Sequence, residues 1–142
     1  MKTISIINLK GGVAKTISAV NIAHILAAVH GLKVLLIDND KQGNSSKIFN
    51  IYSYDIKTIA DVLTDKHIKM EEVILPTGYE NLDIIPANMN LLRANREILL
   101  DMSRSQQTRL DKALKQIAPD YDYCIIDNAP DINMSTINAL VA

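Results

Sequence analysis

The sequence predicts an α/β domain in which helices cover both faces of a mainly parallel β-sheet. Strand-length apolar runs alternate with helix-length amphipathic stretches along the chain, a pattern typical of a sheet built from strand–helix–strand crossovers. Residues 34–37 and 123–126 contain no polar alternation, so both faces of those strands are expected to be buried, as in a parallel sheet.

The first half of the chain is predicted from hydrophobic pattern and glycines. Residues 3–8 are predicted as a strand that ends at Gly11–Gly12, and residues 15 to about 30 as a helix that stops before Gly31. Residues 33–38 form a second strand, and residues 39–54 a polar loop with a short helix. The apolar residues of the long helix are expected to face the core: Val20, Ala23 and Ala27, widened by Ile22, Ile25, Leu26 and Val29.

In the second half, short helices are predicted at residues 58–63 and 69–73 and a strand at 81–86. A helix capped by Asn88 should follow, and apolar residues at helical spacing predict another at residues 106–118, ended by Pro119. Residues 121–127 form a third buried strand, and a last helix begins at residue 135. Four arginines on the predicted helices are expected to lie on solvated faces: Arg93, Arg96, Arg104 and Arg109.

Composition fits one such domain and excludes several classes of protein. The chain has 142 residues, of which 48% are hydrophobic, and its formal charge is -1, which argues against a general polyanion-binding surface and leaves a local basic patch open. The single cysteine, Cys124, cannot form an internal disulfide and is expected in the core. With no secretory signal and no apolar run near the roughly 20 residues of a membrane span, a cytoplasmic protein without membrane contact is expected.

Glycine-rich or acidic segments lie at the ends of three of the predicted strands, at residues 10–16, 38–42 and 127–130. The carboxyl ends of parallel strands meet at one edge of a sheet, where ligands bind, so these segments should converge. Each of the three segments, taken alone, also fits an ordinary structural role: a tight turn, an exposed acidic loop or a helix cap. Together, and in this order, they favour a site for a nucleoside triphosphate with Mg²⁺.

The segment KGGVAKT at residues 10–16 has the parts that a phosphate site requires. Gly11 and Gly12 allow close approach of backbone N–H groups, at the positive end of a helix. Lys15 can reach the β- and γ-phosphates, and Thr16 can offer its hydroxyl to Mg²⁺. The spacing does not match G-x-x-x-x-G-K-[ST], because Leu9 and Ala14 stand at the two glycine positions.

Two acidic segments complete the predicted site. Asp127 ends a buried strand, where a carboxylate can partner Mg²⁺ through a metal-bound water. Asp38 and Asp40 are two residues apart, so in extended chain their side chains should point the same way. Either carboxylate could orient an attacking water.

Four segments together resemble the ParA/Soj family of plasmid and chromosome partition ATPases: KGGVAKT at residues 10–16, VLLIDNDKQGN at 34–44, LDIIPAN at 82–88 and YDYCIIDNAP at 121–130. That family belongs to the MinD/ParA superfamily, whose deviant Walker A loop reads K-G-G-x-x-K-[ST]. The resemblance covers essentially the whole chain. It implies that residues 1–142 are the N-terminal portion of a deviant Walker P-loop ATPase domain, with a three-layer α/β/α fold truncated at its C-terminus.

The resemblance also implies ATP and Mg²⁺ as cofactors and a role for each site residue. The nucleotide-binding residues would be Lys10, Gly11, Gly12, Val13, Ala14, Lys15, Thr16 and Ile17. The catalytic residues would be Lys10, which reaches across an ATP-sandwich homodimer, Lys15 on the phosphates, and Asp40, which positions water. The metal site would comprise Thr16, Asp38 and Asp127.

The implied activity is slow ATP hydrolysis that drives partition, stimulated by a ParB-like centromere-binding protein, with non-specific DNA bound through regions missing from this chain. One alternative is a nucleotide-dependent regulator or scaffold without significant hydrolysis. Another is a fragment that has no competent site and assembles through an exposed apolar edge.

Three residues depart from the family pattern: Ala14 stands for a glycine, Ile17 for a second threonine and Lys41 for a proline. If position 14 requires a positive φ, alanine costs roughly 1–2 kcal/mol there. We expect Ala14 to be tolerated, with Mg-ATP still bound. Lys41, beside Asp38 and Asp40, is expected to affect rate rather than binding.

Overall fold

The computed structural model describes residues 1–142 and confirms the α/β class. One five-stranded sheet has the order β1-β5-β2-β4-β3, with four parallel strands and an antiparallel β3. The strands are β1 (Lys2–Ile6), β2 (Val34–Asn39), β3 (Leu75–Pro76), β4 (Leu82–Ile85) and β5 (Tyr123–Asn128). The helices are α1 (Lys15–Ala28), α2 (Asn44–Ile48), α3 (Ile59–Thr64), α4 (Asn90–Leu100), α5 (Arg109–Ile117) and α6 (Met134–Val141), with a 3₁₀ turn at Met70–Glu72.

The two faces of the sheet bury different sets of residues, and this alternation creates the three layers. On one face, Val34, Leu36 and Ile125 pack with the alanines of α1. On the other, Leu35, Ile37 and Ile126 pack with buried residues of α3, α4, α5 and α6. Successive residues of a strand point to opposite faces, so a strand buried on both sides must be apolar throughout.

Helix α1 contacts the sheet through a narrower stripe than the sequence predicts. Ala19, Ala23 and Ala27 are fully or almost fully buried, and their four-residue spacing places them on one line of the helix. The expected flanking residues differ: Ile22, Ile25 and Val29 are exposed, and Val20 and Leu26 are half-buried. Small side chains let the helix backbone lie close to the strands, which turns the larger residues toward solvent.

Arg109 corrects the expectation of a solvated arginine. It is buried, and its guanidinium donates to the Leu63 and Ser105 carbonyls and to Asp101 at 3.0 Å. Arg104 is also partly buried and lies outside the helices, where it donates to Asp101 and to the Thr64 carbonyl. The two arginines therefore tie α3 to the segment between α4 and α5.

Cys124 is buried in β5, as expected. Asn88 is not the cap of α4: the N-cap position is Met89, which makes no side-chain cap hydrogen bond, and Asn88 lies one residue earlier, where its side chain accepts from the Asn90 N–H at 2.9 Å. β1 forms one border of the sheet, and its Ile4 is 40% exposed. None of the helices combines the length and the apolar character that crossing a membrane would require.

Candidate functional site

The three predicted segments converge because their strands are neighbours. β5 lies between β1 and β2, and Asp127 is in register with both Ile6 and Asp38. A cleft of about 440 Å³ opens above these strand ends. It is lined by Gly11, Gly12, Val13, Ala14, Lys15, Thr16, Ile17, Asp40, Lys41, Gln42, Asn44 and Pro130.

The loop before α1 is shaped by two residues with positive φ. Gly12 has φ 72°, and Ala14, directly before the helix, has φ 61° and ψ 23°. No atom lies within 4 Å of a Cβ built on Gly11 or Gly12, so the loop backbone faces open space. No side chain caps α1, which leaves N–H groups of its first turn available to an anion.

The two loop lysines differ in their contacts. The Lys15 ammonium donates to the Lys10 carbonyl at 3.2 Å, which holds it within the loop. The backbone N–H of Lys10 donates to the Asn8 side chain at 2.9 Å. The Lys10 side chain is on the exposed surface, and its ammonium makes no hydrogen bond or ion pair. Lys15 is thus at the cleft, and Lys10 is free to reach outward.

Asp127 is buried, with one carboxylate oxygen unpaired. Oδ2 accepts a hydrogen bond from the Ser45 hydroxyl at 2.8 Å, and Oδ1 has no partner. Burial raises the pKa of this carboxyl, while the hydroxyls of Ser45 and Thr16 and the charge of Lys15 oppose the rise. An unpaired buried acceptor beside a hydroxyl and an ammonium suits a hydrated divalent cation, for which oxygen is the preferred ligand.

Asp38 and Asp40 differ in their placement, although their spacing in the sequence predicts side chains that point the same way. Asp38 lies within β2 and does not line the cleft. Its Oδ2 accepts from the Ser46 N–H at 2.8 Å and hydroxyl at 2.7 Å, and its Oδ1 accepts from the Asp40 N–H at 3.2 Å. Burial raises the pKa of Asp38 from 3.8 to about 7. Asp40 follows the strand, lines the cleft and accepts from the Gln42 N–H at 2.9 Å.

Two serines of α2 are site residues that the sequence did not reveal. Ser45 binds Asp127 and Ser46 binds Asp38, so one short helix orients both buried carboxylates. Ser46 also accepts from the Ala87 N–H at 2.9 Å, which ties α2 to the end of β4. A serine pair at the start of a helix, just after an acidic strand end, is the signal that could have identified them.

Gly43 explains how α2 reaches that position. Its φ is 63°, and a Cβ there would lie 2.8 Å from the Ala87 carbonyl and closer still to the Tyr52 ring. Only glycine fits both the left-handed conformation and the contact. Gly43 therefore sets the path of the loop from Asp40 to the serines.

Lys41 does not pair with the neighbouring acids, as the sequence suggests it could. Its ammonium lies 3.4 Å from Asp131 Oδ2, in the segment between β5 and α6. Lys41 nevertheless lines the cleft together with Pro130.

Comparison with known proteins agrees with this architecture. The sequence profile described as an AAA domain matches residues 1–142, the whole chain. The chain belongs to this AAA domain family. Within it, the sporulation initiation inhibitor protein Soj of Bacillus subtilis (strain 168) is 42% identical over 142 residues, covering 99% of this chain and 54% of the relative. The chain spans about half the length of the curated relatives it matches.

Two solved structures extend the comparison of this AAA domain. Cobyrinic acid a,c-diamide synthase from Mycobacterium smegmatis, with bound ATP analog and magnesium, has a TM-score of 0.91 and 29% identity over 100% of this chain and 57% of that one. A plasmid partition protein from Borrelia burgdorferi has a TM-score of 0.85 and 29% identity over 99% and 61%. The three-layer P-loop fold and the resemblance to the ParA/Soj family are confirmed.

Proposed function

We propose that this chain binds Mg-ATP in the cleft above β1, β5 and β2 and hydrolyses it slowly to ADP and phosphate. The carrying observation is the convergence of the Gly11–Thr16 loop, Asp40 and Asp127 at three adjacent strand ends. Relatives of similar sequence and fold include a protein with a bound ATP analog and magnesium. The loop, Asp40 and Pro130 line one cleft, and Asp127 is buried at the adjoining strand end without lining the cleft itself.

The loop would hold the phosphates through backbone N–H groups and Lys15. Gly12 and Ala14 adopt left-handed conformations that turn successive peptide units, a geometry that forms anion-binding concavities. Lys15 would exchange its contact with the Lys10 carbonyl for the β- and γ-phosphates. Residues from Val13 to Ile17 surround the same cleft and would complete the contact with nucleotide.

Thr16 and Asp127 form the donor set that fits Mg²⁺. A hydroxyl and a carboxylate are hard oxygen ligands, and the unpaired Oδ1 of Asp127 needs a partner such as a metal-bound water. The metal would neutralise charge on the phosphates as the terminal group is transferred. Asp38 would support the metal site indirectly, because its carboxylate oxygens accept hydrogen bonds from the Asp40 N–H and from Ser46 and do not line the cleft.

Asp40 would position the water that attacks the terminal phosphate, since it is the acid that lines the cleft. Lys10 would reach from one copy of the chain to the nucleotide of a second, stabilising transition-state charge as an arginine finger does. The Lys10 side chain is exposed and its ammonium makes no hydrogen bond or ion pair, which suits that role. The active species would then be a nucleotide-bridged homodimer.

Hydrolysis would serve plasmid or chromosome partition, together with a ParB-like centromere-binding partner and DNA. The support is similarity to Soj and to a plasmid partition protein. Phosphate release is the test, measured for the wild type with DNA and such a partner present. Loss of release in both Lys15→Ala and Asp40→Ala supports the proposal, and release that survives both substitutions refutes it. No release from a wild type that binds Mg-ATP would favour the regulator or scaffold without hydrolysis.

A further inference from the structure

An ion pair spans two of the segments that border the cleft. Lys41 Nζ lies 3.4 Å from Asp131 Oδ2, and the two side chains are 31% and 41% exposed. The residues are 90 positions apart, and the pair joins the end of β2 to the segment after β5. A long, partly hydrated contact of this kind is easily exchanged for another anion.

The two halves of the pair are not equally fixed. Asp131 Oδ1 accepts from the Asn133 side chain at 2.6 Å, and the Asp131 carbonyl accepts from the Thr136 hydroxyl at 3.1 Å. The Lys41 ammonium makes no hydrogen bond or ion pair other than the one to Asp131. The carboxylate is therefore held in place, and the flexible lysine is the half that can move.

Lys41 also lines the cleft, together with Asp40, Pro130 and the Gly11–Thr16 loop. A bound nucleotide would bring a concentrated negative charge into this cleft. Lys15 and Lys41 are the two lysines that line it.

We propose that Lys41 leaves Asp131 when nucleotide binds and contacts its terminal phosphate, so that Asp131 acts as a built-in competitor for the nucleotide. The inference rests on the proposed function and adds a specificity residue to it. It departs from the expectation that Lys41 affects rate rather than binding, because Lys41 pairs with Asp131 instead of the neighbouring acids and lines the cleft. Lys41 favours the triphosphate over the diphosphate, and Asp131 limits the affinity because it competes with the nucleotide for Lys41. Lys41 is thus a residue that contacts the ligand and strengthens its binding, whereas Asp131 is a positioning residue that weakens binding through Lys41.

The test is a double-mutant cycle on the 142-residue chain, with Mg-ATP and Mg-ADP titrated calorimetrically at low and high salt. Lys41→Ala is expected to weaken Mg-ATP binding about tenfold and Mg-ADP binding less, as for loss of one charge-assisted contact. Asp131→Asn keeps the acceptor for Asn133 and is expected to tighten Mg-ATP about threefold. The double variant should bind as Lys41→Ala does, because Asp131 acts only through Lys41.

Lys57→Ala is the control for net charge, since Lys57 is exposed and makes no ion pair. Melting temperatures test whether the Lys41–Asp131 pair has only a structural role. In that case Lys41→Ala and Asp131→Asn would both melt at lower temperature, and their affinities for Mg-ATP would shift in the same direction. That result, or unchanged affinity in Lys41→Ala beside a wild type that binds, overturns the inference alone. A wild type that does not bind Mg-ATP overturns the proposed function and this inference with it.

Discussion

Ala14 gives the sharpest prediction about the loop, because the structure shows that position 14 has a positive φ, where alanine is strained. The residue has φ 61° and ψ 23°, in the left-handed region. An L-residue there costs roughly 1–2 kcal/mol, and glycine removes that cost. Glycine also adds conformational entropy to the unfolded chain, which cancels about 0.4–1 kcal/mol of the gain. Ala14→Gly is therefore expected to stabilise the fold by about 0.5–1 kcal/mol.

Ala28→Gly is the matched control, since Ala28 is exposed and ends the same helix in right-handed conformation. It should destabilise the protein by up to about 1 kcal/mol, because glycine loses more freedom in a helix than alanine. Urea unfolding monitored by circular dichroism measures both free energies of unfolding. For a chain of this size, the expected increase for Ala14→Gly corresponds to a melting temperature about 2–3 °C higher.

The test depends on the signs of the two changes in the free energy of unfolding, positive for Ala14→Gly and negative for Ala28→Gly. If Ala14→Gly destabilises the protein as much as Ala28→Gly does, position 14 is not left-handed and the reasoning is refuted. Mg-ATP affinity should change by less than about threefold, which is under 1 kcal/mol. A wild type that fails to bind beside a tightly binding Ala14→Gly would show that alanine is not tolerated.

Three further predictions concern charge and assembly. The folded state keeps the Asp38 proton up to a pKa of about 7, against 3.8 without burial, so wild-type stability should fall as pH rises through that window, by at most about 4 kcal/mol. Asp38→Asn should reduce this slope in urea unfolding between pH 4 and 8, while Asp127, whose pKa burial also raises, keeps its own contribution. A slope equal to that of the wild type would contradict the assignment. Arg109→Met should lower the free energy of unfolding by about 2–3 kcal/mol, because buried acceptors lose their donor. The control, Arg93→Met, changes a side chain that is 84% exposed and should lower it by under about 0.5 kcal/mol. Equal losses of stability in thermal melts would refute the burial argument. Light scattering should show a dimer only with Mg-ATP, lost in Lys10→Ala, whereas assembly without nucleotide would indicate association through the exposed edge of β1.

The sequence predicted the elements whose signals are local. Apolar runs that end in Asp38 and Asp127 identified β2 and β5, and the glycines before Lys15 identified the loop. Parallel pairing then implied that the strand ends meet, which the register of Asp127 with Ile6 and Asp38 confirms. Strand β3 was missed because it has two residues, one of them a proline, too few to show any period.

Contacts between distant segments could not be predicted from local pattern. Arg109 looks like any helical arginine, and its burial depends on the Leu63 carbonyl 46 residues away. The pairing of Ser45 with Asp127 spans 82 residues. Hydrophobic periodicity carries no information about such pairs, so the split between Asp38 and Asp40 appears only in three dimensions.

Calorimetric titration of Mg-ATP and Mg-GTP into the wild type and Lys15→Ala tests the central claim most directly. The account predicts saturable Mg-ATP binding by the wild type and an affinity about 10–100-fold lower in Lys15→Ala, as for the loss of one charged hydrogen-bonding contact. Mg-GTP shows how far the base contributes alongside the phosphates. Absence of Mg-ATP binding in the folded wild type, or equal affinity in Lys15→Ala, would contradict the assignment of the cleft as a nucleotide site.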